Sequence, residues 1–280
     1  MTFRKTLLAA TALASAFTFL PTASPLTGVA AANAKLFCSN DGGRFNEWKA
    51  AFKKEYAGRY KKSTLNKLDG IKYDTSVIKL DRNNKKSFKG TFESFYDRRS
   101  RGVAPLARKK WKQYKQYFDR AEREFGVPAE LILSIWGLET AFGRYSGNKN
   151  ILQSTATLAY DCRRSESLFF PQMIAAMEVI DRGLIDLSKR KGAWAGEIGQ
   201  TQFLSARFLE GATDYDGGGV DVFNSPPDVI GSTAKWFKVH GWRRGQDYGE
   251  GTANYRIIMQ WNRATNYQRT IPRLAKEIRG

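Results

Sequence analysis

Residues 128–143 read Pro128-Ala-Glu130-Leu-Ile-Leu-Ser-Ile-Trp136-Gly-Leu-Glu139-Thr-Ala-Phe-Gly143. Proline suits a first helical turn, and the apolar residues that follow it keep a helical period. Positions 132, 135, 136 and 139 fall on one face through i, i+3, i+4 and i+7. Three of them are Ile132, Ile135 and Trp136, and the fourth is Glu139. A carboxylate on an apolar stripe costs free energy unless it is protonated or paired. Desolvation there raises its proton affinity, the property a general acid needs near neutrality. The competing reading makes Glu139 a structural group that meets an arginine or backbone amides. This stretch alone leaves both open.

Outward from this helix the chain remains helical. Phe45, Trp48, Phe52 and Tyr56 recur at spacings that predict an amphipathic helix. Residues 63–90 are polar and read as short turns with an extended piece. A helix is predicted from about Pro105 to Glu124, with Trp111, Tyr114, Tyr117 and Phe118 on one side and a break at Gly126. Ser225-Pro-Pro-Asp228 has the order of a helix start, with Ser225 as N-cap, and that helix should run to Gly241. Strand alternation is scarce, so the class is mainly α.

Composition narrows the chemistry. The 280 residues carry 46 Lys+Arg against 27 Asp+Glu, with one histidine and two cysteines. A single histidine excludes a multi-histidine metal cage and disfavours a histidine-dependent triad. His240 falls in the last turn of its helix, where a structural role is the simpler reading. Asp214-Tyr-Asp216-Gly-Gly218-Gly219 looks like part of an EF-hand loop, but Gly218 and Ser225 occupy ligand positions. No metal site and no cofactor is assigned, and attention falls on carboxylates.

The start of the chain reads as an export leader. Arg4-Lys5 precedes an apolar run from Thr6 to Leu20, and Ala32-Asn33-Ala34 offers a cleavage pattern before Lys35. Residues 1–34 are therefore expected to be a signal peptide, with a retained N-terminal anchor as the alternative, and the mature chain a periplasmic protein without stable membrane insertion. Leu36-Phe37 before Cys38 lacks the small residue of a lipidation site. Residues 35–125 hold 25 basic and 11 acidic groups, a net of +14, whereas 126–280 hold 19 and 16, a net of +3. The first segment is expected to form a basic helical region packing on a core domain formed by the second. Such a surface could track nucleic acid, but export argues for wall polymers instead. Export and an even count favour a Cys38–Cys162 disulfide over two free thiols, worth about 4–5 kcal/mol in the chain-entropy model.

A second cluster lies at Gly192-Ala-Trp194-Ala-Gly196-Glu197-Ile-Gly199-Gln200-Thr-Gln202-Phe203. Three glycines and two alanines within eight residues allow close backbone approach. Trp194 and Phe203 offer flat faces and Gln200 and Gln202 offer amides, a combination that suits a sugar ring. Tight helix–loop packing is the alternative.

Together these motifs resemble the family-3, B-type lytic murein transglycosylases. The matching pieces are Gly126-Val-Pro128, Trp136-Gly-Leu-Glu139-Thr-Ala-Phe-Gly143-Arg144, Ala156-Thr-Leu158, Arg163-Arg164, Ala195-Gly-Glu-Ile-Gly199-Gln-Thr-Gln202-Phe203, Gly231-Ser-Thr-Ala-Lys-Trp236-Phe-Lys-Val-His-Gly241-Trp242 and the late Trp261-Asn262-x4-Tyr267. The resemblance spans roughly residues 45–280. It implies a lysozyme-like α+β core with added N-terminal helices and little strand, and cleavage of the MurNAc–GlcNAc bond of peptidoglycan with Glu139 as the one catalytic acid. Gln202, Phe203, Arg163 and Arg164 then fall on positions that line the glycan groove or meet the peptide stem, with a solvated or structural ion pair as the alternative for the two arginines. Trp236, Trp261 and Asn262 fall on further groove positions, and Tyr96 on an active-site tyrosine.

Two departures stand out: Ala193 replaces a serine of the type member, and Glu197 replaces a small apolar residue. Glu197 is either a second acid in the cleft or, more plainly, an exposed loop charge. With Glu139 it would permit a hydrolytic muramidase, since ordinary glycosidases use two carboxylates. A non-catalytic wall-binding protein using residues 35–125 is the remaining alternative. The expected partner is the peptidoglycan glycan strand, and the expected state is a monomer.

Overall fold

Phe45, Trp48 and Phe52 form the buried side of the first helix, α1 (Phe45–Glu55); the Phe45 and Trp48 rings close on Tyr160 and the Phe52 ring on Phe170. The computed structural model describes residues 36–83 and 90–280, so the leader expected at 1–34 lies outside the described residues. Beyond α1, the segment expected to be turns is helical. It holds α2 (Lys62–Leu65), a 3-10 turn and α3 (Thr75–Asn83). Asp74 caps α3 by accepting from the backbone N–H of Ser76 and Val77. The buried side of α3 is only Val77, Ile78 and Asp81, too few apolar residues to register against a lysine- and asparagine-rich background.

α4 (Phe92–Ser100) is capped by the Thr91 hydroxyl. The single helix expected from 105 to 124 is two, α5 (Val103–Gln113) and α6 (Lys115–Phe125), broken at Tyr114. The break lets α5 lie along the central helix α7 (Ala129–Thr140) while α6 turns onto a later helix. Gly126 ends α6 at φ 73°, a left-handed cap that glycine adopts without steric cost. Pro128 sits at the N-cap of α7 rather than in its first turn.

The remainder is α8 (Ile151–Tyr160), α9 (Phe170–Asp181), α10 (Ser205–Gly211), α11 (Pro226–Val239), α12 (Ala253–Trp261) and α13 (Thr265–Arg279). A two-stranded antiparallel ribbon pairs Lys149 with Gly192 and Asn150 with Lys191. The Ser225 hydroxyl accepts from the Asp228 N–H, the N-cap read from the sequence.

Helices from both sides of residue 126 share one continuous core, and α7 runs through it with every residue buried except Glu139. α13 packs along α7, and its Arg279 Nε donates to Glu130 Oε1 at the start of α7, at 2.8 Å. Cys38 and Cys162 form the expected disulfide and join the N-terminal segment to the end of α8. Among the described residues no helix is long and apolar enough to cross a membrane. The class is mainly α with little strand, as expected.

Candidate active site

Glu139 lies in the last turn of α7, where the chain leaves the helix by an unusual route. Ala141, Phe142 and Gly143 all take positive φ, at 49°, 62° and 85°. The two non-glycine residues in that region cost about 1–3 kcal/mol each, so neighbours must hold the turn. The Thr140 hydroxyl donates to Gln200 O at 2.6 Å and accepts from Gly143 N–H at 2.9 Å. The Trp136 indole N–H donates to Gln200 Oε1 at 2.8 Å. A Cβ on Gly143 would stand 2.4 Å from that same oxygen. The helix end and the loop around Gln200 are therefore one rigid piece.

One oxygen of the Glu139 carboxyl takes both protein hydrogen bonds. Tyr267 OH donates to Oε1 at 2.6 Å and the Trp261 indole N–H reaches it at 3.4 Å. Among the described residues nothing donates to Oε2, and the side chain keeps partial access to solvent. Burial raises the proton affinity of Glu139 above the usual carboxylate range. Tyr267, Arg99, Trp261 and Arg207 oppose that rise without cancelling it. Tyr267 is itself 1% exposed, and burial and Glu139 push its hydroxyl well above its ordinary range, so it stays a neutral donor. Arg99 donates to Leu138 O beside the acid. Burial lowers the Arg207 guanidinium to about 10, which leaves it charged at neutral pH.

Glu197 is not the exposed loop charge that its sequence context suggested. It is 5% exposed, and its Oε2 accepts the Ala195 N–H at 2.8 Å. Burial first, then its own loop N–H groups and the negative charge of Glu139, set its carboxyl, pushed up to about 7. The glycines explain how a charged residue came to be enclosed. A Cβ on Gly196 would lie 2.1 Å from Thr155 Oγ1 on α8, and one on Gly199 would lie 2.5 Å from the Val222 side chain. Without side chains at these positions, the loop closes onto its neighbours and carries Glu197 inside.

The aromatic expectations converge on the acid. Phe203 meets Trp261 edge to face at 5.3 Å, and Trp236 meets it at 5.0 Å. The three rings form a buried wall whose Trp261 nitrogen faces Glu139. Gln202 adopts φ 56° and donates to Gly199 O, while its buried Oε1 has no partner among the described residues. Asn262 turns the chain between α12 and α13, accepting from Ala264 N–H. Trp194 and Gln200 are buried, the latter in the packing already described.

Other residues singled out from the sequence have partners of their own. Arg163 and Arg164 both pair with the buried Asp81 of α3. Tyr96 OH donates to Glu277 Oε2 at 2.6 Å on α13. His240 stacks on Trp236 at 3.8 Å and its Nδ1 bonds Trp236 O, a structural role. Asp214, Asp216 and Asp228 bring oxygens within 4.8 Å of one another. Those of Asp214 and Asp228 already accept backbone N–H bonds, and Asp216 accepts from Ser225. The donor set fits a self-satisfied loop better than a cation.

Tyr267, Arg99 and Arg207 act on Glu139 without having been singled out for it. Tyr267 closes a quoted motif and sits one helical turn from Asn262-x-Ala264, which was its only signal. The arginines carried none, because their pairing with the site is a matter of tertiary packing.

With this geometry in place, the comparisons fix the family. Residues 44–252 match the transglycosylase SLT domain, and the chain belongs to that family, with a lysozyme-like fold. A relative from Escherichia coli K12, "Membrane-bound lytic murein transglycosylase B", is 36% identical over 135 residues. The match covers 48% of this chain and 37% of that protein, little over a third of its length. SltB3 from Pseudomonas aeruginosa, solved in complex with NAG-anhNAM-pentapeptide, superposes with a TM-score of 0.77 at 25% identity over 85% of this chain and 80% of its own. Escherichia coli Slt35 in complex with bulgecin A shares the fold, with a TM-score of 0.72 at 22% identity over 87% and 96%.

Proposed function

We propose that this chain is a lytic transglycosylase that cleaves the β-1,4 bond between MurNAc and GlcNAc in peptidoglycan, with Glu139 as its single acid and base. The observation that carries this reading is the asymmetric Glu139 carboxyl, bonded through Oε1 to Tyr267 and, among the described residues, without a donor on Oε2. The proton on Oε2 passes to the glycosidic oxygen as the bond to C1 of the muramyl sugar breaks. The leaving GlcNAc gains its 4-hydroxyl. Tyr267 and Trp261 stabilise the carboxylate that forms. The C6 hydroxyl of the same sugar then attacks C1 and returns its proton to Glu139, closing a 1,6-anhydro ring without water. The sugar's N-acetyl group eases the positive charge that develops at C1. Phe203 and Trp236 pack behind Trp261 as a buried apolar backing that holds the indole N–H on Glu139. The anhydro-sugar ligand of SltB3 supports this outcome.

The leader-like residues 1–34 and the Cys38–Cys162 bond support a periplasmic protein acting on glycan strands from outside the membrane. Purified mature protein on isolated sacculi should release muropeptides lighter by one water than hydrolysed ones, and Glu139→Gln should release none. Equal activity in the two proteins would remove Glu139 from the reaction. The burial of Glu197 beside this site favours a second reading, a hydrolytic muramidase with two carboxylates. Products with reducing ends would establish that one instead.

A further inference from the structure

α12 ends at Trp261, and the last carbonyls of a helix lack partners within it. Arg207 of α10 meets two of them from outside. Its Nη1 donates to Trp261 O and its Nη2 to Gln260 O. The planar fork of a guanidinium suits a pair of carbonyls, and its charge suits the negative end of the helix dipole. The same guanidinium lies over two indole rings, with Cζ 5.4 Å from the centre of Trp236 and 5.9 Å from that of Trp261. Trp261 is therefore held by its backbone and by its ring together. The rest of its surroundings is apolar: Phe237 stacks on it at 5.5 Å, while Phe203 and Trp236 meet it edge to face. The one polar atom of that ring, Nε1, reaches Glu139 Oε1 at 3.4 Å.

We infer that Arg207 is a positioning residue for the proposed reaction, a clamp on the end of α12 that keeps the Trp261 indole N–H directed at Glu139. A bond of 3.4 Å is long for an indole donor, and such bonds tighten when charge forms on the acceptor. A ring fixed in advance by the guanidinium can do so without a search over rotamers. The inference rests on the proposed role of Glu139 and concerns only how one of its donors is held. It adds no step to the chemistry.

The test is Arg207→Lys, a variant that keeps the charge but lacks the planar fork. At saturating glycan the rate of anhydro-muropeptide release should fall about tenfold with KM unchanged, because the lost help goes to the carboxylate formed as the bond breaks. An unchanged rate in the folded variant overturns the inference. So does a raised KM with kcat intact, which would put Arg207 against the substrate instead. A double-mutant cycle separates positioning from general packing. In a Trp261→Phe background, which has no indole N–H to place, Arg207→Lys should cost less than it does alone, and an equal cost overturns the inference. If Arg207→Lys does not fold, nitrogen-15 NMR of the wild type decides. The guanidinium with Overhauser contacts to the Trp236 and Trp261 rings should show separate, slowly exchanging Nη–H signals, and averaged signals there overturn the clamp. A fully active Glu139→Gln would instead strike the proposed function while leaving that spectrum readable.

Discussion

Tyr267→Phe removes one oxygen and no other atom, from a position where that oxygen donates at 2.6 Å to Glu139 Oε1. A hydrogen bond to a charged acceptor contributes about 1.5–3 kcal/mol, and this one is short and enclosed. It favours the ionised carboxyl, so its loss raises the proton affinity of Glu139 further, by about 1–2 pH units at 1.36 kcal/mol per unit. The same energy is missing when the carboxylate forms during bond cleavage, which slows turnover by about 10- to 100-fold. Rate and profile therefore move together: a lower plateau, and an alkaline limb displaced upward. Initial rates of anhydro-muropeptide release from sacculi between pH 4 and 9 would measure both. A plateau and limb identical to wild type would refute the reasoning, because the bond would then contribute nothing to either protonation state.

Three further outcomes follow from the packing. Glu197→Gln should stabilise the protein at neutral pH. Its folded carboxyl, pushed up to about 7, ionises later than in the unfolded chain, so wild-type stability falls as pH rises from about 4.5 to 7. Thermal melts at pH 4 and 7.5 should show a gain only at the higher pH, on the order of 3 kcal/mol. Reduction of Cys38–Cys162, or Cys38→Ser with Cys162→Ser, should cost about 4–5 kcal/mol, read as a fall in denaturant midpoint. Gly143→Ala should lose about 1–3 kcal/mol from its φ of 85° and push Gln200 off the Trp136 indole, which circular dichroism melts and sacculus assays would register together.

The central helix was legible because its period and its one misplaced carboxylate both lie within sixteen residues of chain. The caps at Gly126 and Ser225 were legible for the same reason, being local chemistry. What escaped was decided at long range. The enclosure of Glu197 depends on Gly196 meeting Thr155 and Gly199 meeting Val222, and neither contact has a local signature. Arg163 and Arg164 look like free cations until Asp81, some eighty residues earlier, is brought against them. α3 was hidden because three buried side chains suffice to dock a nine-residue helix in a polar segment. The break at Tyr114 was missed because the apolar spacing is continuous across it, while α5 and α6 face different partners.

The last helix has a bearing on when the molecule becomes competent. Tyr267 near its start completes the Glu139 carboxyl, and Arg279 at its far end grips Glu130 at the opposite end of α7. Ribosomal synthesis runs in one direction, and 128 residues separate the acid from its hydroxyl partner. A nascent protein therefore displays Glu139 for a long interval with an unfinished site. Glu139 gains its hydroxyl partner only once the chain has been made into α13.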